Sequence, residues 1–447
     1  MRRVDNLISA RWVLPIVPRG AVLADHSVAI EAGRIAAVVP TAAAMSQFEA
    51  ARHVVLPHHA LAPGLVNAHG HAAMSLLRGV GDDLPLERWL GERIWPLEMA
   101  LISERFVYDG ARQAGAEMLR GGITCCNDMY FFPGAAAQAF GELGMRCVIS
   151  IIALEAASPY ASDADDYLRK GLEVRDRLRE DPLVGFTLAP HAPYTVSDAT
   201  FSRIAMLAEE LDLPIQIHLH ETAWEIEDSL KRYGTRPLAR LDRLGLVSER
   251  LLAVHAVHLQ GEEIALLARR GASVAHCPAS NLKLASGLAP VAALLREGVG
   301  LAFGTDSAAS NNRLDLFDEM RLAALLAKGV AMDASVLPAA QALECATLSA
   351  ARALGLDDRI GSIEAGKQAD LIAVDLSGLQ TQPCYDPVSQ LVYCAGREQV
   401  EHAWVAGRQV LAQRRLVREG VEIDLLGISA ATSHWQAQVQ RLLAARP

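Results

Sequence analysis

The sequence lacks several features, and each absence removes a class of function. Its most apolar N-terminal stretch, around Leu14 to Val17, is broken by Pro15 and Pro18. It is too short for a signal-peptide core or a bilayer span, so a cytoplasmic protein with no membrane association is expected. Positive charge is not in excess: 42 Lys and Arg against 52 Asp and Glu give a net −10, which repels polyanions and argues against nucleic acid as a partner. There is no C-x-x-C pair, so a thiolate metal site of that type is absent. The seven cysteines, Cys125, Cys126, Cys147, Cys277, Cys345, Cys384 and Cys394, are odd in number and scattered, mostly in apolar runs, and read as reduced core residues. Neither G-x-G-x-x-G nor G-x-x-x-x-G-K-[ST] occurs, which argues against a doubly wound nucleotide-binding sheet. Hydrophobic content of 51% and charged content of 21%, with 33 Gly and 20 Pro, exclude disorder, collagen and a disulfide miniprotein.

What is present is a rhythm. Eight short apolar runs alternate with stretches of helical spacing: 61–71, 122–129, 146–154, 184–190, 214–220, 251–258, 273–278 and 300–307. Near-continuous apolarity suits strands buried on both faces, and the intervening helices supply crossovers. Eight such units are the arithmetic of a (β/α)8 barrel of the TIM type within an α/β protein, here assigned to residues 61–361. The flanks read differently. SVAIEAGRIAAVV near the start, and ADLIAVDL and EHAWVAGRQVLA near the end, alternate as antiparallel strands of a half-buried sheet do. Residues 1–60 and 362–425 are therefore expected to build one small, sandwich-like β domain from both chain ends. Residues 426–447, with Trp435, Val439, Leu442 and Leu443 at helical spacing, should form a terminal helix packed on the body.

Fourteen histidines in 447 residues yield an H-x-H by chance about 0.4 times, so His69 and His71 alone are weak evidence. They fall at the C-terminal end of the first barrel strand, where a period of 2 puts both imidazoles on one side. They are either satisfied polar residues at a strand end or two ligands of one metal. The ends of other strands carry His218, His220 and Glu221, His255 and His258, and Asp306, all at the rim where barrel active sites form. Imidazoles with one carboxylate suit zinc with an open position for water, and another carboxylate within reach can carry protons. Glu221 is either that carboxylate or a surface residue starting a helix.

PGLVNAHGHAAMSLLRG, HLHETAWE, AVHAVHL, HCPASNLKLASGLAPV, GTDSAASNNRLDLFDEMRLA and GSIEAGKQADLIAVD together resemble the amidohydrolase superfamily, and within it the 5′-methylthioadenosine/S-adenosylhomocysteine deaminases. The similarity runs from about residue 22 to 410. It implies a single zinc held by His69, His71, His218 and Asp306, with iron(II) or manganese(II) able to fill the same site. The lysine that bridges two metals in other branches has no counterpart. It implies Glu221 as proton carrier to ring N1, with His255 and Asp306 as its catalytic partners, and leaves His220 and His258 structural. Trp89, Glu98, His191 and Ser310 are implied substrate contacts, alongside Glu221 and Asp306: Glu98 at the ribose hydroxyls, Trp89 beside the 5′ substituent. The substrate would be a small nucleoside, the product its inosine analogue with ammonia, and the assembly a homo-oligomer.

Three departures stand out. Gly70 replaces the usual Thr between the two histidines, and Ser307 replaces the usual Gly after Asp306. Near Ile151, where relatives that accept S-adenosylhomocysteine can place an arginine, nothing cationic lies between Arg146 and Arg169. Methylthioadenosine or adenosine is thus expected over a substrate with a carboxylate tail. The rival readings are a sister hydrolase of an amino- or chloro-substituted triazine, pterin or guanine ring, and a catalytically dead scaffold barrel. A scaffold would be expected to lose ligands, and none of the six rim residues is missing.

Overall fold

The computed structural model describes residues 1–445, so the last two residues of the expected terminal helix lie outside it. The chain opens with four strands, β1 (Arg2–Val13), β2 (Leu23–Glu31), β3 (Arg34–Pro40) and β4 (Phe48–Pro63). Eight barrel strands follow: β5 (Leu65–Gly70), β6 (Ile123–Asp128), β7 (Arg146–Ala153), β8 (Val184–Pro190), β9 (Ile215–Leu219), β10 (Leu251–His255), β11 (Ser273–His276) and β12 (Gly300–Phe303). The chain ends with β13 (Leu371–Asp375), β14 (Val400–Val405), β15 (Arg408–Ala412), β16 (Arg415–Arg418), β17 (Val421–Glu422) and a helix, Leu425–Ala444.

Each of the eight apolar runs contains one barrel strand. β5 to β12 are parallel and hydrogen-bonded in sequential order. The ring closes through a bridge between Gly70 and Asp306, where the Asp306 N–H donates to the His69 carbonyl at 3.1 Å. Closure demands Gly304: a Cβ there would lie 2.9 Å from both Cβ and O of His69.

Run 61–71 is two strands rather than one. Leu61 to Pro63 finish β4, paired with β13, and the chain crosses into the barrel at Gly64, whose N–H donates to Asp370 O at 2.9 Å. A Cβ at Gly64 would fall 2.0 Å from Thr124 Oγ1, so only glycine makes the crossing.

The remaining nine strands form one mixed sheet from both chain ends, in the order β17-β16-β15-β14-β13-β4-β1-β2-β3. The antiparallel expectation fails at one pair: β1 and β4 are parallel. The β1–β2–β3 meander leaves β3 aligned with β1, and the chain passes through the helix Thr41–Gln47 to return on the far side of β1, a crossover that makes β4 parallel. The sheet also folds over on itself. The β2–β3 turn reaches the end of β14, where a Cβ at Gly33 would lie 2.6 Å from Ala406 O, although three strands lie between β2 and β14. Arg146, at the start of β7, is buried and ion-paired with Asp370 at 2.8 Å, tying barrel to sheet.

In the terminal helix Trp435 and Val439 are buried, and the Trp435 indole N–H donates to Asp109 Oδ2 at 2.9 Å. Five cysteines are buried; Cys384 is half-buried and Cys394 exposed, so the last two are not core residues. Among the described residues no helix is long and apolar enough to cross a membrane.

Substitution of Gly304 by Ala should destabilise the protein by about 1–3 kcal/mol or more, because the new methyl meets backbone that cannot retreat without opening the ring. Gly141, in the helix Pro133–Leu143, has nothing within 4 Å of a built Cβ. Gly141→Ala should therefore stabilise by about 0.5–1 kcal/mol. Urea unfolding of the two variants checks the contrast.

Candidate active site

The C-terminal ends of the barrel strands bring the rim residues together. His69 and His71 come from β5 and the residue beyond it, His218 from β9, His255 from β10, and Asp306 from the turn after β12. His218 Nε2 lies 3.2 Å from His69 Nε2 and 3.3 Å from His71 Nε2. Asp306 Oδ1 lies 3.5 Å from His69 Nε2 and 3.3 Å from His71 Nε2.

The far nitrogen of each ring explains this convergence. His69 Nδ1–H donates to Gln216 Oε1 at 3.0 Å, His71 Nδ1–H to Met129 O at 2.5 Å, and His218 Nδ1–H to His191 O at 2.8 Å. Burial pushes His69 down to about 4 and His218 well below the ordinary range, which disfavours a second proton on these rings. With Nδ1 protonated, three Nε2 lone pairs and a carboxylate oxygen face one another. Such contacts repel unless a cation sits among them, so the donor set fits one divalent metal of the zinc type.

Burial by itself would raise the Asp306 pKa, but its close contacts with the His69 and His71 imidazoles hold it well below the carboxylate range. Its other oxygen, Oδ2, accepts from Ser280 Oγ at 2.5 Å and Ser310 Oγ at 2.8 Å. The backbone at Asp306 is left-handed, φ +56°, and Ser307 is not among the positive-φ residues. Asp306 is a residue type that tolerates that conformation, and the position of Ser307 does not require glycine; Ser307 Oγ accepts the Ser310 N–H at 2.9 Å. Gly70 is equally harmless, since a Cβ there would meet nothing closer than 3.3 Å.

Glu221 is buried, not a surface carboxylate. Burial first, and then the charge of Asp306, raise it to about 8. The backbone N–H groups of His220 and Glu221 donate to the two oxygens of Glu225, at 2.8 and 3.0 Å, which fixes the turn. His255 donates from Nδ1 to Asn281 Oδ1 at 2.9 Å, and its Nε2 points into the site, 3.7 Å from Glu221 Oε2.

These groups floor a cavity of about 340 Å³. Met74, Trp89, Ile94, Ile102, Ile152 and Leu154 are among its apolar walls. The segment carrying Trp89 and Glu98 is helical: a π-helical turn over Trp89–Ile94 leads into a helix over Trp95–Leu101. Trp89 donates its indole N–H to Val80 O at 3.0 Å, leaving the ring as wall. Glu98 accepts from Tyr130 Oη–H at 2.6 Å through one oxygen. His191 lines the cavity beside His218. No lysine or arginine is among the lining residues. Ile151 is not there either: it faces outward onto Gly171, so the cavity wall at the end of β7 is Ile152, one residue later. A larger cleft, about 1260 Å³ between the sheet and the N-terminal end of the barrel, contains none of these groups.

Two of the remaining histidines turn away. His220 Nε2 accepts the Leu238 N–H at 3.1 Å, and His258 Nε2 meets Ser286 O at 2.8 Å. The Ser310 hydroxyl is engaged by Asp306. Sequence reasoning missed Gln216, Asn281, Ser280 and Tyr130. Gln216 had a signal, standing two residues before His218 on the same face of β9; the other three are set by tertiary approach.

A model of the amidohydrolase family matches residues 60–410. A 5-methylthioadenosine/S-adenosylhomocysteine deaminase of Teredinibacter turnerae is 47% identical over 436 residues, 98% of each chain. The crystal structure of an adenosine deaminase from Xanthomonas campestris with bound zinc is 53% identical, with a TM-score of 0.96 over 98% of this chain and 99% of that one. An atrazine chlorohydrolase from Arthrobacter aurescens complexed with zinc is 25% identical, with a TM-score of 0.89 over 96% of this chain and 100% of that one.

Gln216→Ala removes the acceptor that holds His69 in its tautomer. It should weaken zinc binding by about 10–100-fold, read by competition with a chelating dye.

Proposed function

The chain belongs to the amidohydrolase family, and from that premise we propose that it is a zinc-dependent deaminase of adenine nucleosides, converting 5′-methylthioadenosine or adenosine to the inosine analogue and ammonia. The observation that carries this reading is the rim, where three imidazole lone pairs and Asp306 converge beside a buried Glu221 at the floor of an apolar, nucleoside-sized cavity.

His69, His71, His218 and Asp306 would hold the ion. When bound, zinc supplies Lewis acidity and brings the pKa of a coordinated water towards about 7. The chain's own groups do the rest. Glu221 receives a proton from the attacking water and delivers it to ring N1, so C6 becomes tetrahedral without charge building on the purine. His255, its Nδ1–H spent on Asn281, offers the Nε2 lone pair to the attacking oxygen and orients it. Asp306, an anionic acceptor on the other side, orients the same oxygen. Glu221, a carboxylate again, takes the second proton of that oxygen to N6, the C6–N6 bond breaks and ammonia leaves, while N1 keeps the first proton in the inosine product. Glu98 offers its unpaired oxygen to the ribose hydroxyls, and the Trp89 face covers the 5′ substituent, with His191 against the base.

A triazine or other bare ring would leave that Glu98 oxygen without a donor in an otherwise apolar wall, which favours a nucleoside over the reaction of the atrazine chlorohydrolase. The same reading makes the protein a cytoplasmic homo-oligomer acting on an uncharged small molecule and not on nucleic acid.

The purified enzyme, incubated with a panel of purine nucleosides and a triazine, should release ammonia from methylthioadenosine. No release from any nucleoside would overturn the reading. Because no lysine or arginine among the described residues lines the cavity, kcat/KM for methylthioadenosine should exceed that for S-adenosylhomocysteine by about 10–100-fold, the worth of one charge-assisted hydrogen bond. Glu221→Gln should lower kcat by at least about a hundredfold while zinc stays near one per chain.

A further inference from the structure

Glu319 lies in the helix Leu316–Ala331, is 1% exposed, and touches none of the proposed ligands. A buried carboxylate with no cationic partner is expensive, and its two oxygens show what it does. Oε2 accepts the backbone N–H of Ala279 at 3.1 Å, and Oε1 accepts from Asn311 Nδ2 at 2.7 Å. Each donor adjoins a residue that holds the site. Ala279 precedes Ser280, which donates to Asp306 Oδ2, and Asn281, which accepts from His255 Nδ1–H. Asn311 follows Ser310, the second donor to Asp306 Oδ2, and its own Nδ2 also donates to Thr305 O at 2.8 Å, the carbonyl just before Asp306.

We propose that Glu319 is a positioning residue: it clamps the turns after β11 and β12 so that two hydroxyls occupy Asp306 Oδ2, Oδ1 alone faces the imidazoles, and Asn281 holds His255. The inference rests on the proposed roles of Asp306 and His255. Two acceptor oxygens are required because both partners are donors. Glutamine keeps the shape but turns an NH2 group on one of them, leaving an unmatched pair in a site without water access.

The test uses full-length protein loaded with cobalt(II), whose visible ligand-field bands report ligand geometry independently of turnover. Glu319→Gln should change those bands with every histidine intact, and in the zinc form should lower kcat by about tenfold or more with KM within about twofold. Asn311→Ala, a milder cut in the same clamp, should move both readouts in the same direction and serves if the first variant fails to fold. Ile204→Ala, a buried change in the helix Asp198–Leu211, controls for lost stability and should leave the bands and kcat unchanged. Unchanged cobalt bands in the folded Glu319 or Asn311 variant would overturn the proposal, as would bands that move equally in the Ile204 control. A wild-type enzyme inactive on nucleosides would instead sink the substrate reading, and the cobalt comparison would still decide the role of Glu319.

Discussion

Everything at the rim depends on holding lone pairs together that would rather be apart. Three Nε2 atoms and one carboxylate oxygen sit within 3.5 Å of a neighbour, largely buried at the floor of the cavity. Leaving such groups unpaired costs several kcal/mol, so the arrangement persists only because every ring is fixed from behind. Two of the three fixing acceptors are main-chain carbonyls, which no side-chain change can remove. The third is a side chain, and it draws the barrel interior into the problem.

Gln216 accepts from His69 and donates to Ser150, Asn127 and Thr187, buried on β7, β6 and β8. Across the closure, Asn67 donates to Thr305 Oγ1 at 2.8 Å and accepts the Thr305 N–H at 2.9 Å. The top of the barrel is therefore a polar lattice and not an apolar plug. Each member is locked by its neighbours, so strand register positions His69 directly, while His71 and His218 are fixed by the carbonyls of Met129 and His191 just beyond the ends of β6 and β8. Arg146 and Asp370 do the corresponding work at the bottom, where a paired charge anchors the folded-over sheet.

The barrel was legible because its strands are buried on both faces and so carry near-continuous apolar runs; all eight could be placed. The rim histidines were legible because strand ends map onto one face of a barrel. Contacts between elements distant in the chain were not. The parallel β1–β4 pair depends on a crossover that leaves no local mark, and the two strands inside 61–71 are separated only by Gly64, whose need is a contact with Thr124. Alignment by motif placed Ile151 on the cavity wall, yet alternation along β7 sends it outward to Gly171. The residues of that segment that do line the cavity, Ile152 and Leu154, are apolar too, and no lysine or arginine among the described residues lines it.

The carboxylates show most clearly why residue type alone misleads. Asp128, Glu225 and Glu319 are buried near the site, and burial raises them to about 6, about 8 and about 8, as it does Glu221. By electrostatics all four are candidate proton carriers. Geometry separates them. Asp128 accepts the Ala72 N–H at 2.7 Å, Glu225 accepts two main-chain N–H groups after β9, and Glu319 takes one main-chain and one amide donor after β11 and β12. Each is occupied by the turn that follows a ligand-bearing or ligand-supporting strand. A carboxylate suits that task because it only accepts, and two oxygens can gather two donors from turns that have no other partner. Glu221 is the exception: it lines the cavity and has no main-chain donor on its oxygens. That freedom, more than its raised pKa, is what supports the proton-carrying role proposed for it.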